Sequence, residues 1–160
     1  MVYLIEGQLL PSERAKELLQ EAAFMPSDRH SEGLAAGLTV RENASFAALG
    51  KFTTKGIMRQ RKELSGVGET FNALAVKTAG FEAPILSLSG GNQQKVVIGK
   101  VLLAKPKVII LDEPTRGVDI GAKFEIYKLI NSLKAKGMAI ILISSEMPEI
   151  LGLRDRKSVV

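Results

Sequence analysis

Val108-Ile109-Ile110-Leu111-Asp112-Glu113-Pro114-Thr115 carries the architecture of this chain. Its apolar residues run without alternation, the pattern of a strand covered on both faces, as in a parallel sheet. A second run, Ala139-Ile140-Ile141-Leu142-Ile143, has the same character. Between them, Gly121 to Ala135 repeats apolar residues at helical spacing and closes at Gly137. Strand, helix and strand with short connections make a βαβ unit, so this half is α/β. The first strand ends in two acids, delivered to the carboxyl edge of the sheet, where α/β proteins bind ligands. In phosphoryl transfer such an Asp holds Mg²⁺, and a neighbouring acid orients or deprotonates the attacking water. Acids that only cap the following helix produce the same string.

Upstream, Leu88-Ser89-Gly90-Gly91 precedes a helix predicted from Gln93 to Leu103. Two glycines let a ligand approach the backbone closely. The helix start adds unpaired N–H groups and a positive dipole end, so the place suits an anion, with the Ser89 hydroxyl as a further donor. An ordinary Ser N-cap with a glycine turn reads the same way.

Elsewhere the pattern predicts a strand at Val2 to Glu6, a helix start at Pro11-Ser12 leading into Glu13 to Glu21, and a strand at Ala22 to Met25 stopped by Pro26. Ser27 to Gly33 is polar and loop-like, and His30, the single histidine, reads as a surface residue. Thr39 and Glu42 form a capping box that starts a helix running to about Leu49. Gly50 to Ala79 is weakly helical, interrupted by Gly66 and Gly68, and a short helix is expected near Met147 to Leu151. The stretch from about Val40 to Ala104 thus forms a helical lobe inserted into an α/β core.

At 160 residues, 46% hydrophobic and 24% charged, the chain is one domain's worth of globular protein. Its apolar runs are far shorter than the ~20 residues that span a bilayer, and no secretory leader is visible. With no cysteine, disulfides and thiolate metal sites are excluded. The net charge of +5 permits a phosphate-bearing partner. No Lys/Arg stripe is interleaved with aromatics, so a nucleic-acid face is not expected.

Taken together, Leu88-Ser89-Gly90-Gly91-Asn92-Gln93-Gln94-Lys95, then Ile109-Ile110-Leu111-Asp112-Glu113-Pro114-Thr115, then Gly117-Val118-Asp119, resemble the signature motif, Walker B motif and D-loop of the ATP-binding subunits of ABC transporters. The order and spacing are the family's. The resemblance is closer to the second, C-terminal ATPase domain of bacterial monosaccharide importers of the ribose/xylose/galactoside type. It is carried by Thr115-Arg116-Gly117-Val118-Asp119-Ile120-Gly121-Ala122-Lys123 and Ser144-Ser145-Glu146-Met147-Pro148-Glu149 and runs from about Ala22 to Asp155. It implies a P-loop NTPase-like parallel sheet with an inserted helical signature subdomain. Residues 1–39 and 105–155 would be parts of the core, about 40–104 the helical subdomain, and 156–160 a tail that departs from the family pattern.

The functional residues follow from the same resemblance. Ser89, Gly90, Gly91, Gln93 and Asp119 would meet ATP across a head-to-tail dimer with a second ABC ATPase domain. Asp112 and Ser27, the latter at the usual Q-loop glutamine position, would hold Mg²⁺ through water. Glu113 would polarise the hydrolytic water, and Ser145 stands where a switch histidine is usual. The helical lobe would dock on transmembrane permease subunits at the cytoplasmic face of the bacterial plasma membrane, and a sugar-binding protein would act indirectly.

No Gly-x-x-x-x-Gly-Lys-Ser/Thr occurs in the sequence. The chain therefore reads as a fragment truncated at both ends, inactive alone and lending its signature motif to another ATP site. Its own acids would belong to a slow or silent site. Ala139 to Ile143 would then form an exposed apolar edge prone to self-association. The rival expectations are a soluble ABC-type ATPase acting on nucleic acid or ribosomes, and a non-catalytic partner domain.

Overall fold

The computed structural model describes residues 4–5, 8–9 and 21–153. The helix expected over Glu13 to Glu21 and the tail from residue 154 lie outside the described residues, apart from Glu21 itself. Of the strand expected at Val2 to Glu6, Leu4–Ile5 (β1) is described, paired antiparallel with Gln8–Leu9 (β2).

The central sheet has three parallel strands: Ala22–Met25 (β3), Val108–Asp112 (β6) and Ala139–Ile143 (β7), in the order β3-β6-β7. The register sets Met25 beside Leu111 and Leu111 beside Leu142. One face of the sheet is buried, with Met25, Ile109 and Leu111 fully enclosed. The other carries Phe24, 53% exposed, and Ile141, 40% exposed, on either side of Ile110. This corrects one expectation. Both apolar runs predict strands covered on two faces, yet β7 alternates between exposed and half-buried positions. It is an edge strand among the described residues, as β3 is, and an apolar run reports hydrophobicity without saying which faces are packed.

Between β3 and β6 lies the helical region. Asp28 caps a single π-helical turn, Arg29–Gly33, inside the stretch expected to be loop. The Thr39 capping box is present: the Glu42 N–H donates to Thr39 Oγ1 at 3.2 Å and the Thr39 N–H to Glu42 Oε2 at 2.8 Å. It opens Val40–Ser45 (α1), which passes through a 3₁₀ turn into Leu49–Phe52 (α2). A small hairpin follows, Thr53–Thr54 (β4) against Ile57–Met58 (β5). It turns on Lys55 and Gly56, both at positive φ. Nothing in the sequence reading anticipated it, because strands of two residues leave no periodicity. Gln60–Ala73 (α3) and Gly90–Leu103 (α4) complete the region.

Helix α4 joins the two halves. It is buried nearly all round, and one hydrophobic cluster runs from Val40, Ala44, Val67 and Phe71 through Val96 and Ile98 to Ile109, Leu111 and Ile126. Beyond β6 come Ile120–Ala135 (α5) and, after β7, Met147–Leu153 (α6).

Candidate functional site

Two clusters of the expected residues form. The first gathers at the carboxyl edge of the sheet. Glu113 follows β6 directly and holds a left-handed backbone, φ 47°. Its N–H donates to the Ile143 carbonyl at 2.8 Å, extending the β6–β7 ladder by one bond. Its Oε1 accepts the Ser145 N–H at 2.6 Å. A non-glycine residue in this conformation costs about 1–2 kcal/mol, a strain offset here by those two bonds. Ser145 therefore reaches Glu113 through its main chain. Asp112 is half-buried beside it, and Ser27 lies two residues past Met25, at the same edge by the parallel register.

Beneath this edge, Glu149 is enclosed and accepts from the Ser144 hydroxyl at 2.5 Å. Burial pushes its carboxyl above the ordinary range, against the lowering effect of the Ser144 and Thr115 hydroxyls.

The second cluster forms where α4 and α5 begin. Ser89 is the N-cap of α4 by backbone geometry but makes no side-chain cap bond, so the helix starts at Gly90, three residues before the expected Gln93. Instead, Asn92 Nδ2 donates to Ser89 Oγ at 2.9 Å, which leaves the hydroxyl hydrogen available to an acceptor. Gly91 is demanded by packing: a Cβ there would stand 2.5 Å from the Ala122 Cβ, closer than any real contact. Asp119 caps α5, its Oδ1 accepting the Ala122 N–H at 2.9 Å. Gly117, at φ 68°, makes the turn that brings Asp119 there.

Gln93 does not join this surface. Its side chain is buried, with Nε2 donating to the Leu88 carbonyl at 3.1 Å. Gln94 and Lys95 are buried as well. Gln94 Nε2 ties α4 to the Pro114 carbonyl at 2.8 Å, and Lys95 pairs with Glu125 at 2.7 Å.

Sequence reasoning missed Arg29, whose Nη1 and Nη2 donate to the carbonyls of Arg116 and Gly117 at 2.8 and 3.1 Å. It also missed the buried Glu149 and the Gln94 tether. Arg29 carries no signal beyond its place in a polar loop, whereas the glutamine pair of Asn92-Gln93-Gln94 stands out in the sequence only as part of a motif.

Among the described residues, no group of three or more His, Asp or Glu side chains could hold a metal ion. The donor set of Asp112 and Ser27 offers one carboxylate and one hydroxyl. Mg²⁺ demands six oxygens and keeps several waters, so this set fits an ion held through water and substrate phosphates.

Comparison with known proteins follows the same lines. The profile of the ABC transporter family matches residues 3–116. A xylose import ATP-binding protein, XylG, of Photobacterium profundum is 45% identical over 160 residues, covering 99% of this chain and 31% of its own length. XylG of Paraburkholderia xenovorans is 49% identical over 137 residues, 86% of this chain and 26% of its own. The chain thus spans less than a third of the length of these curated relatives.

Among solved structures, the dimeric ATP-binding cassette MJ0796 in a post-hydrolysis state, bound to ADP and Pi, aligns with a TM-score of 0.64 at 20% identity, over 91% of this chain and 62% of that one. The cbiO1 protein of Clostridium perfringens, part of the ABC transporter complex cbiONQ, aligns at 0.65 and 24% identity, over 89% and 55%. These likenesses establish the fold: an ATP-binding cassette with a parallel sheet and a helical subdomain.

Proposed function

The chain belongs to the ABC transporter family, and from that premise we propose that it is a part of the ATP-binding subunit of a monosaccharide importer, lending Ser89-Gly90-Gly91 to ATP held by a second ATPase domain. The observation that carries this reading is the second cluster. Ser89 is exposed, its hydroxyl hydrogen is uncommitted, and it heads a helix whose first N–H groups have no partners within the helix. Asp119 and Gly117 shape the neighbouring turn, so the surface opposite an incoming γ-phosphate is built from short residues and backbone.

The first cluster belongs to this chain's own nucleotide face. Mg²⁺ bound with ATP would neutralise phosphate charge, with Asp112 and Ser27 reaching it through water. Glu113 has one carboxylate oxygen engaged by the Ser145 amide and the other left to orient a water. Ser145, at the position where a switch histidine is usual, supports a slow or silent site here. The region 40–104 is the helical subdomain in this reading, and its outer surface docks on the permease subunits at the cytoplasmic face of the membrane. No helix among the described residues is long and apolar enough to cross a membrane. A nucleic-acid-directed ATPase is not favoured, since both XylG relatives are import proteins.

Equilibrium binding of a fluorescent ATP analogue to the purified chain, with Mg²⁺ present, tests the reading. No binding at high micromolar nucleotide is expected of a half-site that works only in trans. Tight binding would place a phosphate cradle on this chain and overturn it.

A further inference from the structure

We propose that Arg29 is a positioning residue: it fastens the Arg116–Asp119 turn to the glycine-led start of α4, so that the surface offered to a second ATPase domain is assembled before that domain docks. The inference rests on the in-trans reading above.

The anchor comes first. Arg29 begins the turn capped by Asp28, whose Oδ1 accepts the N–H groups of His30 at 2.9 Å and Ser31 at 3.3 Å. The turn is seated on α4 at Gly33, where a Cβ would meet Val97 Cγ2 at 3.3 Å. The backbone that launches the side chain is therefore fixed to the signature helix.

The guanidinium then spans to a segment 87 and 88 residues away, giving one N–H each to the successive carbonyls of Arg116 and Gly117. A planar fork makes two such bonds at once, and an ammonium cannot reproduce that geometry. Its surroundings are cut to admit it. A Cβ at Gly90 would stand 3.0 Å from Nη2, and one at Gly117 would stand 3.2 Å from Nη1. Glycine at both positions leaves room for the fork as well as for a ligand.

The Nε–H is buried and finds no partner among the described residues. A surface arginine free to turn would avoid that cost. Its two outer bonds hold it in place, and the three segments it joins carry Ser27, Ser89 to Gly91, and Asp119.

Two measurements test this. The first is amide hydrogen exchange on the 160-residue chain. Arg29→Ala and Arg29→Lys should both speed exchange at residues 116–119 by about tenfold, the loss expected from a charge-assisted bond, and leave Val108–Asp112 unchanged. The second is ATP turnover by the intact transporter ATPase carrying Arg29→Lys. There kcat should fall about tenfold, with KM for ATP within twofold, because the residue shapes the donated face and does not touch the nucleotide.

Unchanged exchange overturns the clamp. Full rescue of kcat by lysine, or a rise in KM with kcat intact, overturns the positioning role. A wild-type protein that turns over no ATP instead overturns the functional reading, while exchange still upholds or refutes the clamp.

Discussion

The cluster around Ser89 and the cluster around Glu113 are held by different means. The first is shaped by close approach: Gly91 against Ala122, Gly90 beside the Arg29 guanidinium, and Asp119 capping α5. Every one of these contacts is made between helices and turns that share the main core. The second hangs on the end of β7, through the Ile143 carbonyl and the Ser145 amide. That strand is exposed along one side, with Ile143 at 48%. The surface proposed to face another domain is thus assembled within this chain, whereas the proposed nucleotide edge depends on a strand whose flank is open among the described residues.

In stability, the largest effect should come from Gly91→Ala. Its Cβ would have to displace Ala122, and overpacking of this kind costs about 1–3 kcal/mol. The melting temperature should fall by roughly 2–4 °C for each kcal/mol. A loss below about half a kcal/mol would mean that α4 and α5 separate easily, and that the Ser89 cluster is no more rigid than the Glu113 cluster. Next comes Gly117→Ala, placing a Cβ at φ 68° and against Arg29, for about 1–2 kcal/mol in denaturant unfolding. Thr39→Ala, which removes the capping box of α1 and no bond of either cluster, should cost about 1 kcal/mol and serves as the control.

Smaller still is a pH effect beneath the Glu113 cluster. Burial raises the Glu149 carboxyl above its ordinary 4.5, aided by the charges of Glu146 and Glu113 and opposed by the Ser144 and Thr115 hydroxyls. The folded state therefore holds this proton more tightly than the unfolded chain. The stability it contributes is complete below pH 4.5 and is lost as pH rises through the elevated value. Glu149→Gln should flatten that decline, so the variant should gain on wild type from acid to neutral pH in thermal melts; a parallel decline in both would contradict the assignment. Finally, the open flank predicts self-association of the isolated chain. Ile141→Lys should lower it in light scattering, and a monodisperse wild type at high concentration would count against the exposed edge.

Much of this was legible in the sequence because it lies in strong local signals. The runs Val108–Leu111 and Ala139–Ile143, the Thr39–Glu42 box and the glycine pair each fix a local conformation, and the parallel sheet follows from their order. What escaped was set by contacts between distant segments. The hydrophobicity of β7 could not reveal that its outer face lacks a covering layer among the described residues. In sequence Gly91 points to access for a ligand, while its nearest constraint is a methyl group on α5. Gln93 and Lys95 sit in a motif that points to ATP, yet the helix turns both inward. Arg29 acquires meaning only once the chain has folded Arg116 and Gly117 against it.

The central claim is that the two clusters serve different ATP molecules, and ATP turnover by the intact transporter ATPase tests it most directly. Ser89→Arg alters an exposed position that makes no cap bond, so the fold is spared while the donated surface is blocked. The account predicts a loss of about a hundredfold or more, the scale of removing a preorganised anion donor, against a change within about twofold for Glu113→Gln. A collapse of turnover in Glu113→Gln with Ser89→Arg near wild type would contradict it.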